Sequence, residues 1–137
     1  MTREMTLAID CGGGGIKGSV VDERGTMMAP AHRVPTPYPL PPELLVETAV
    51  GLAKELPPAT RVTMGMPGMI RHGVVIATPH YITRDGPRSR VLPELVERWD
   101  HFDMGRAIEQ ALSLPTKVLN DAEVAGAGAI TGRGLEM

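Results

Sequence analysis

Residues 6–22 read TLAIDCGGGGIKGSVVD, and this stretch decides the fold because it joins two apolar runs through four consecutive glycines. The apolar run from Thr6 to Asp10 predicts a buried strand, and the run from Ile16 to Asp22 predicts a second strand. Glycines between two strands let the backbone come close to a ligand, because no Cβ stands in the way. Successive amide groups in such a turn can bind an anion. We therefore predict a phosphate-binding hairpin.

Two other glycine motifs are excluded by the residues around the loop. Gly13, Gly15 and Gly18 satisfy GxGxxG, but the dinucleotide-binding fingerprint requires a helix directly afterwards, and a strand is predicted here. The P-loop requires a glycine before its lysine, whereas Ile16 precedes Lys17. A flexible hairpin without a ligand remains the alternative, since tight turns are what glycine most often marks.

The predicted phosphate site has a charged residue on each side of the glycines. Lys17 supplies a positive charge suited to phosphate. Asp10 ends the first strand and can hold Mg²⁺, which is commonly bound by one or two carboxylates together with waters and substrate phosphates. The predicted phosphate contacts are Gly12, Gly13, Gly14, Gly15 and Lys17.

The composition is that of an ordinary globular domain. The chain has 137 residues, of which 42% are hydrophobic and 22% charged, and its formal net charge of −2 gives no indication of a nucleic-acid partner. Cys11 is the only cysteine, so no internal disulfide is expected, which fits a reducing cytoplasm. No apolar stretch approaches the ~20 residues of a membrane span, and the first residues lack the apolar core of a signal peptide. We expect a cytoplasmic protein that binds neither membrane nor nucleic acid.

The rest of the sequence predicts an α/β domain. Further strands are predicted over residues 26–34, 61–66, 74–77 and 116–119. Helices are predicted over residues 42–56, 93–98, 104–112 and 122–130, and the proline-rich segment 35–42 is predicted to be an irregular connector. This order indicates a mixed sheet with helices on its faces. Because ligands bind outside the carboxyl ends of the strands in such sheets, we expect Asp10, Pro67–Gly68 and Asn120–Asp121 to converge there.

Asn120 and Asp121 have two interpretations at a strand-to-helix junction. Both residue types are favoured helix caps, and capping alone would explain them. With a phosphate loop at a neighbouring strand end, the carboxylate gains a second role. It can accept the proton of a substrate hydroxyl as that oxygen attacks phosphorus.

Four segments resemble the N-terminal half of ROK-family sugar kinases, and among these the bacterial polyphosphate/ATP glucokinases. The segments are DCGGGGIKGSVVDERG (10–25), RVPTPYPLPPE (33–43), MGMPGMIRHGVV (64–75) and LPTKVLNDAEVAG (114–126). They occur in the family's order and are distributed along most of the chain, apart from roughly residues 78–102. The resemblance implies a ribonuclease-H-like, actin-like ATPase fold in two lobes, with sugar and phosphoryl donor bound between them. Residues 1–137 would then form a single N-terminal lobe.

The resemblance also implies roles for individual residues. Asp121 matches the catalytic base that takes the proton from the sugar's 6-hydroxyl, and Asn120 matches a residue that hydrogen-bonds the ring hydroxyls. Gly68 matches a backbone contact to the sugar, and Asp10 lies near Mg²⁺ through water. The implied reaction transfers a phosphoryl group from ATP or polyphosphate to glucose or a related hexose. A homodimer is a possible assembly.

The chain also departs from the family pattern. Gly14 stands where the family usually has Thr or Ser, and His80 stands near the position of a sugar-contacting Asn, so the identity of the sugar is open. Residues 83–98 look longer than the family's equivalent and contain four arginines, which are either solvated or contact a polyanionic donor. The chain ends at Met137, where the family continues into a second phosphate motif, so we expect the second lobe to be absent from this chain.

Two other functions remain alternatives to a kinase lobe. A non-catalytic sugar- or phosphate-binding domain of the same fold is favoured by Gly14, by His80 and by the expected absence of a second lobe. A ROK transcriptional regulator is disfavoured, because such proteins carry a helix-turn-helix before this domain, and the first predicted strand begins at Thr6.

Overall fold

The computed structural model describes residues 4–86 and 88–121, which form two β-sheets and three helices. In chain order the elements are β1 (Met5–Cys11), β2 (Gly15–Asp22), β3 (His32–Pro35), α1 (Pro42–Lys54), β4 (Arg61–Met66), β5 (Met69–Arg71), β6 (Val74–Ala77), α2 (Pro93–Trp99), β7 (Phe102–Asp103), α3 (Met104–Leu112) and β8 (Thr116–Asn120). Among the described residues, no helix is long and apolar enough to cross a bilayer.

The main sheet has the strand order β3-β2-β1-β4-β8. β1, β2 and β3 are antiparallel neighbours, whereas β1, β4 and β8 run parallel. Their register places Asp10 opposite Gly65, and Gly65 opposite Leu119. The carboxyl ends of the three parallel strands therefore lie level with one another at one edge of the sheet.

Apolar and polar side chains alternate along the strands, and this alternation determines which face of the main sheet is buried. Leu7, Ile9 and Cys11 in β1 are buried, and the residues between them are exposed or half-buried. Helices α1 and α3 contact each other, and their buried residues join the same core. The α3 helix begins as predicted, because the Asp103 carboxylate accepts a hydrogen bond from the Arg106 amide at 3.0 Å.

A second sheet, β5-β6-β7, is accompanied by a row of aromatic rings. The ring centroids of Tyr38 and Tyr81 are 6.4 Å apart, those of Tyr81 and Trp99 are 5.7 Å apart, and those of Trp99 and Phe102 are 6.2 Å apart. The Trp99 indole donates to the Leu40 carbonyl at 2.9 Å. The proline-rich connector therefore packs against the segment around α2, far along the chain.

Most predicted elements are confirmed, with one exception in length. The strand predicted over residues 26–34 is wrong for residues 26–31, because only His32–Pro35 is a strand. The Asp22 carboxylate accepts hydrogen bonds from the amides of Arg24 and Thr26, which closes a turn there, and Pro30 cannot donate to a ladder. The short strands β5 and β7 were not predicted, and the helix predicted over residues 122–130 lies outside the described residues.

Candidate functional site

The three predicted strand ends meet in the structure. The Asn120 side-chain amide donates a hydrogen bond to the Gly68 carbonyl, which joins the end of β8 to the turn after β4. Asp121 follows directly and is exposed. Asp10 lies near the end of β1, which is two strands from β8, and neighbouring strands are ~4.8 Å apart, so the backbones at Asp10 and Asp121 are about 10 Å apart across the sheet edge. This gap is wide enough for a ligand between them.

The Pro67–Gly68 turn is held against the end of β6. The Thr78 hydroxyl donates to the Pro67 carbonyl at 3.1 Å. Gly68 has φ +110°, and a Cβ at this residue would lie 2.1 Å from the Ala77 carbonyl oxygen. Glycine is required here for both reasons, because L-residues rarely adopt this conformation and no side chain fits.

An open pocket of about 600 Å³ lies beside this turn. Its lining residues are Gly68, Met69, Ile70, Ala77, Pro79 and Asn120. Its size is in the range of small-molecule sites, roughly 300–1,000 Å³. Two predicted sugar contacts, Gly68 and Asn120, thus border one pocket. His80 is exposed and follows Pro79 directly, but it is not one of the lining residues.

The glycine loop, Gly12–Gly15, is held by hydroxyl groups that the sequence did not indicate. The loop is closed by a hydrogen bond from the Gly12 amide to the Gly15 carbonyl at 2.9 Å. The Gly12 carbonyl also accepts from the hydroxyls of Thr36, at 2.9 Å, and Tyr81, at 2.8 Å. The Tyr38 hydroxyl donates to the Gly13 carbonyl at 2.7 Å. The predicted turn between the two strands is confirmed, and its conformation is defined by distant residues.

Two cationic side chains accompany the glycine loop. Lys17 pairs with Asp10 across β1 and β2, and Arg33 pairs with Lys17 across β2 and β3, so all three residues lie on one face of the sheet. The Arg33 guanidinium covers Gly15, where an added Cβ would lie 2.3 Å from its Cζ. Arg33 is therefore a second positive charge beside the loop, which the sequence analysis missed because Arg33 lies in a separate strand.

The electrostatics of Tyr81 also indicate that the strand ends form one site. Burial raises the pKa of the Tyr81 hydroxyl, and the charges of Cys11, Tyr38, Asp10 and Asp121 raise it further. Both carboxylates are thus close enough to act on one hydroxyl, which itself holds the glycine loop. Burial, followed by the charge of Asp10, likewise raises the pKa of the Cys11 thiol.

We expect these two buried acids to make the fold sensitive to alkali. A group whose pKa is raised by folding stabilises the native state fully below its unfolded pKa, and this stabilisation is lost as the pH rises above it. With ordinary values of 9.0 for Cys11 and 10.0 for Tyr81, the free energy of unfolding should fall progressively above about pH 9. Urea unfolding at pH values between 7.5 and 10.5 measures this. In Cys11→Ala the fall in the free energy of unfolding should begin at a higher pH, because only Tyr81 remains. A free energy that is constant over this range would contradict the burial of both groups.

The residues at the loop fit a magnesium ion that is bound together with a phosphorylated ligand. Asp10 is exposed and lies where the loop begins. Within residues 4–86 and 88–121, no group of three or more His, Cys, Asp or Glu side chains is placed to hold a metal ion. A single carboxylate beside a phosphate loop suits Mg²⁺, which retains several waters and takes ligands from substrate phosphates.

Comparison with known proteins identifies the family and the fold. The model of the ROK family matches residues 6–134. The N-acetylmannosamine kinase of Escherichia coli K12 is 32% identical over 122 residues, which are 88% of this chain and 37% of the relative. The polyphosphate/ATP-glucomannokinase of Arthrobacter sp. strain KM is 31% identical with a TM-score of 0.73, and the match covers 92% of this chain and 47% of the other.

A third similarity is to a solved structure that contains ligands. The ROK glucokinase of Streptomyces griseus, in complex with glucose and AMPPNP, is 27% identical with a TM-score of 0.68, over 91% of this chain and 36% of the glucokinase. The chain thus spans less than half the length of each of these relatives. ROK sugar kinases have the actin-like ATPase fold, so the predicted fold class is confirmed. Its motifs, its fold and the match over residues 6–134 together show that this chain belongs to the ROK family.

Proposed function

We propose that this chain is the sugar-binding and catalytic-base lobe of a hexose kinase, which transfers a phosphoryl group from ATP or polyphosphate to the sugar's 6-hydroxyl. The observation that supports this proposal most strongly is the meeting of three strand ends. The hydrogen bond from Asn120 to Gly68 and the level register of β1, β4 and β8 place a pocket, a carboxylate and a glycine loop at one edge of the sheet.

In this proposal Asp121 is the general base. Its carboxylate follows Asn120 and is exposed, so a sugar hydroxyl can reach it. As the hydroxyl oxygen attacks the phosphoryl group, its proton passes to the Asp121 carboxylate, and the bond from phosphorus to the donor's leaving oxygen breaks. Asp121 would also fix the direction from which the hydroxyl approaches the phosphorus atom.

The sugar would occupy the pocket beside the Pro67–Gly68 turn. Asn120, already anchored on the Gly68 carbonyl, would present its amide to the ring hydroxyls, and the backbone of Gly68 would form a second contact. His80, exposed at the rim, is proposed as a further sugar contact. Anchored polar groups on rigid elements give specificity, because they lose little freedom when the ligand binds.

The phosphoryl donor would lie along the glycine loop. The amides of Gly12, Gly13, Gly14 and Gly15 would bind phosphate oxygens, and Lys17 and Arg33 would offset their negative charge. Asp10 would hold Mg²⁺ through water, and this ion would neutralise charge on the phosphates. Since Gly14 has no side-chain hydroxyl, binding at this position depends on the backbone.

The names of three relatives agree with a hexose as substrate. They are an N-acetylmannosamine kinase, a glucomannokinase that uses polyphosphate or ATP, and a glucokinase. Because these sugars differ, glucose, mannose and N-acetylmannosamine are all candidates for this chain. This chain covers only 37% and 47% of two of these relatives, so we propose that the catalytic unit contains a second lobe besides residues 1–137.

A fused enzyme tests this function. This chain is joined to the portion of the Arthrobacter glucomannokinase that follows the matched region, and transfer to the three sugars is assayed with ATP and with polyphosphate. We expect turnover with at least one sugar and one donor. A folded fusion that binds sugar but transfers nothing would support the non-catalytic alternative instead.

A further inference from the structure

We propose that Thr36, Tyr38 and Tyr81 are positioning residues, which hold the glycine loop in the conformation that binds the phosphoryl donor. This inference rests on the proposed function, because that function assigns the loop to the donor. It assigns a role to two segments that have no role in the proposed function. These are the proline-rich connector, which carries Thr36 and Tyr38, and the stretch after β6, which carries Tyr81.

The three residues donate hydrogen bonds to the carbonyl groups of the loop. The Gly12 carbonyl accepts from Thr36 Oγ1 and Tyr81 Oη, at 2.9 and 2.8 Å. The Gly13 carbonyl accepts from Tyr38 Oη at 2.7 Å, and the Gly14 carbonyl accepts from the Thr36 amide at 3.3 Å. Three consecutive carbonyls are therefore turned toward the two connectors.

This arrangement determines where the loop amides point. The loop peptides are trans, and in a trans peptide the N–H points opposite to the C=O of the same unit. The N–H groups that follow the three held carbonyls therefore point away from the hydroxyls. Within residues 4–86 and 88–121, the N–H groups of Gly13 and Gly14 have no backbone or side-chain acceptor. Amides turned outward in this way form a site for an anion.

A loop of glycines needs such support more than other loops do. Glycine loses more conformational freedom on ordering than any other residue, so an unsupported loop would lose that freedom when the donor binds. The hydroxyls order the loop beforehand. A tyrosine hydroxyl is a protonated donor at neutral pH, and burial raises the pKa of both Tyr38 and Tyr81 further above it.

Both tyrosine rings are packed against other residues on the side away from the glycine loop. A Cβ at Gly86 would lie 3.2 Å from the Tyr38 ring, which shows how closely the backbone at Gly86 covers that ring. The Tyr81 ring packs at a tilt against the Trp99 ring, with centroids 5.7 Å apart, and the Trp99 indole donates a hydrogen bond to the Leu40 carbonyl. The aromatic row therefore connects α2 and β7 to the glycine loop, and packing in the core fixes the positions of both hydroxyls.

Binding of inorganic triphosphate to the ¹⁵N-labelled chain tests the proposal. Tyr38→Phe, Tyr81→Phe and the double variant each remove only hydroxyl oxygens. Thr48→Val is the control, because it removes a hydroxyl that donates to the Leu44 carbonyl inside α1, away from the loop. We expect triphosphate to shift the amide signals of Gly13 and Gly14 in the wild type and in Thr48→Val. In the double variant we expect at least about tenfold weaker binding and faster hydrogen exchange of these two amides.

The outcomes separate this proposal from the proposed function. A folded double variant that binds triphosphate within about twofold of wild type would overturn the positioning role and leave the loop as the donor site. If triphosphate does not shift the amide signals of Gly13 and Gly14 in the wild-type chain, both the donor site and the positioning role would be overturned. If the double variant does not fold, triphosphate binding is measured with the two single variants and with Thr36→Val, and binding within about twofold of wild type in all three would overturn the positioning role.

A kinetic measurement distinguishes positioning from a general loss of structure. In the fused enzyme, Tyr81→Phe should raise KM for ATP and lower kcat while KM for the sugar stays within about twofold. If KM for the sugar rose by the same factor as KM for ATP, the tyrosine would be merely structural, and the proposal would be overturned.

Discussion

Replacing Asp121 by Asn is expected to lower kcat of the fused enzyme by about 10²–10⁴-fold, which is the usual contribution of a general base. Asn retains the shape and hydrogen-bonding capacity of Asp but cannot accept the proton of the attacking hydroxyl. The affinity for the sugar should change by less than roughly tenfold, because the ground-state contacts largely survive. Steady-state kinetics with saturating donor and varied sugar measure both quantities.

A matched variant shows whether the effect is specific to Asp121. Asp100→Asn removes an equal charge from an exposed residue that contacts His101 after α2, and it should leave kcat unchanged. If Asp121 served only as a helix cap, Asn would be nearly as good, and kcat and stability would both stay near wild type. A normal kcat in Asp121→Asn would therefore remove Asp121 from the mechanism.

Gly68→Ala is expected to lower the free energy of unfolding by about 2–4 kcal/mol, which combines an unfavourable positive φ with steric overlap. The φ of +110° and the 2.1 Å distance from an added Cβ to the Ala77 carbonyl are the cause, because backbone must move to admit the methyl group. Urea unfolding of the 137-residue chain, followed by circular dichroism, measures the change. The Asn120 contact to the Gly68 carbonyl should weaken at the same time.

Gly51 provides a control with the opposite sign. It lies within α1, is exposed, and has no atom within 4 Å of an added Cβ. Gly51→Ala should therefore stabilise the chain by roughly 0.5–1 kcal/mol, because alanine loses less conformational freedom in a helix. If Gly68→Ala were as stable as Gly51→Ala, the Pro67–Gly68 turn would not have the conformation described.

Local patterns were sufficient to predict the elements that position the site. Apolar runs that end at Asp10, at Pro67 and at Asn120 have clear boundaries, since glycine, proline or polar residues follow each of them. The α3 helix was predicted from its Asp103 cap and its apolar face, and both are confirmed. The site residues at the strand ends were predicted from the same boundaries, and their roles in catalysis remain predictions.

The residues that hold the glycine loop could not be predicted in this way. Thr36, Tyr38 and Tyr81 contact the loop across 24, 25 and 69 residues of sequence, so no local period connects them to it. Strands β5 and β7 contain only three and two residues, and their pairing depends on tertiary contacts. Residues 26–31 are mostly apolar, which led to the prediction of a strand, but Pro30 cannot donate to a ladder and the turn bonds of Asp22 compete with sheet pairing there.

Sugar binding to the ¹⁵N-labelled chain tests most directly whether the strand ends form one hexose site. Glucose, mannose and N-acetylmannosamine are titrated separately, and the signals of the Gly68 amide and the Asn120 side-chain amide are followed. We expect at least one sugar to shift both signals together in a saturable manner, with little change at Gly51, which lies in α1 away from the pocket. A folded chain in which none of the three sugars moves either signal would contradict the assignment of this pocket to a hexose.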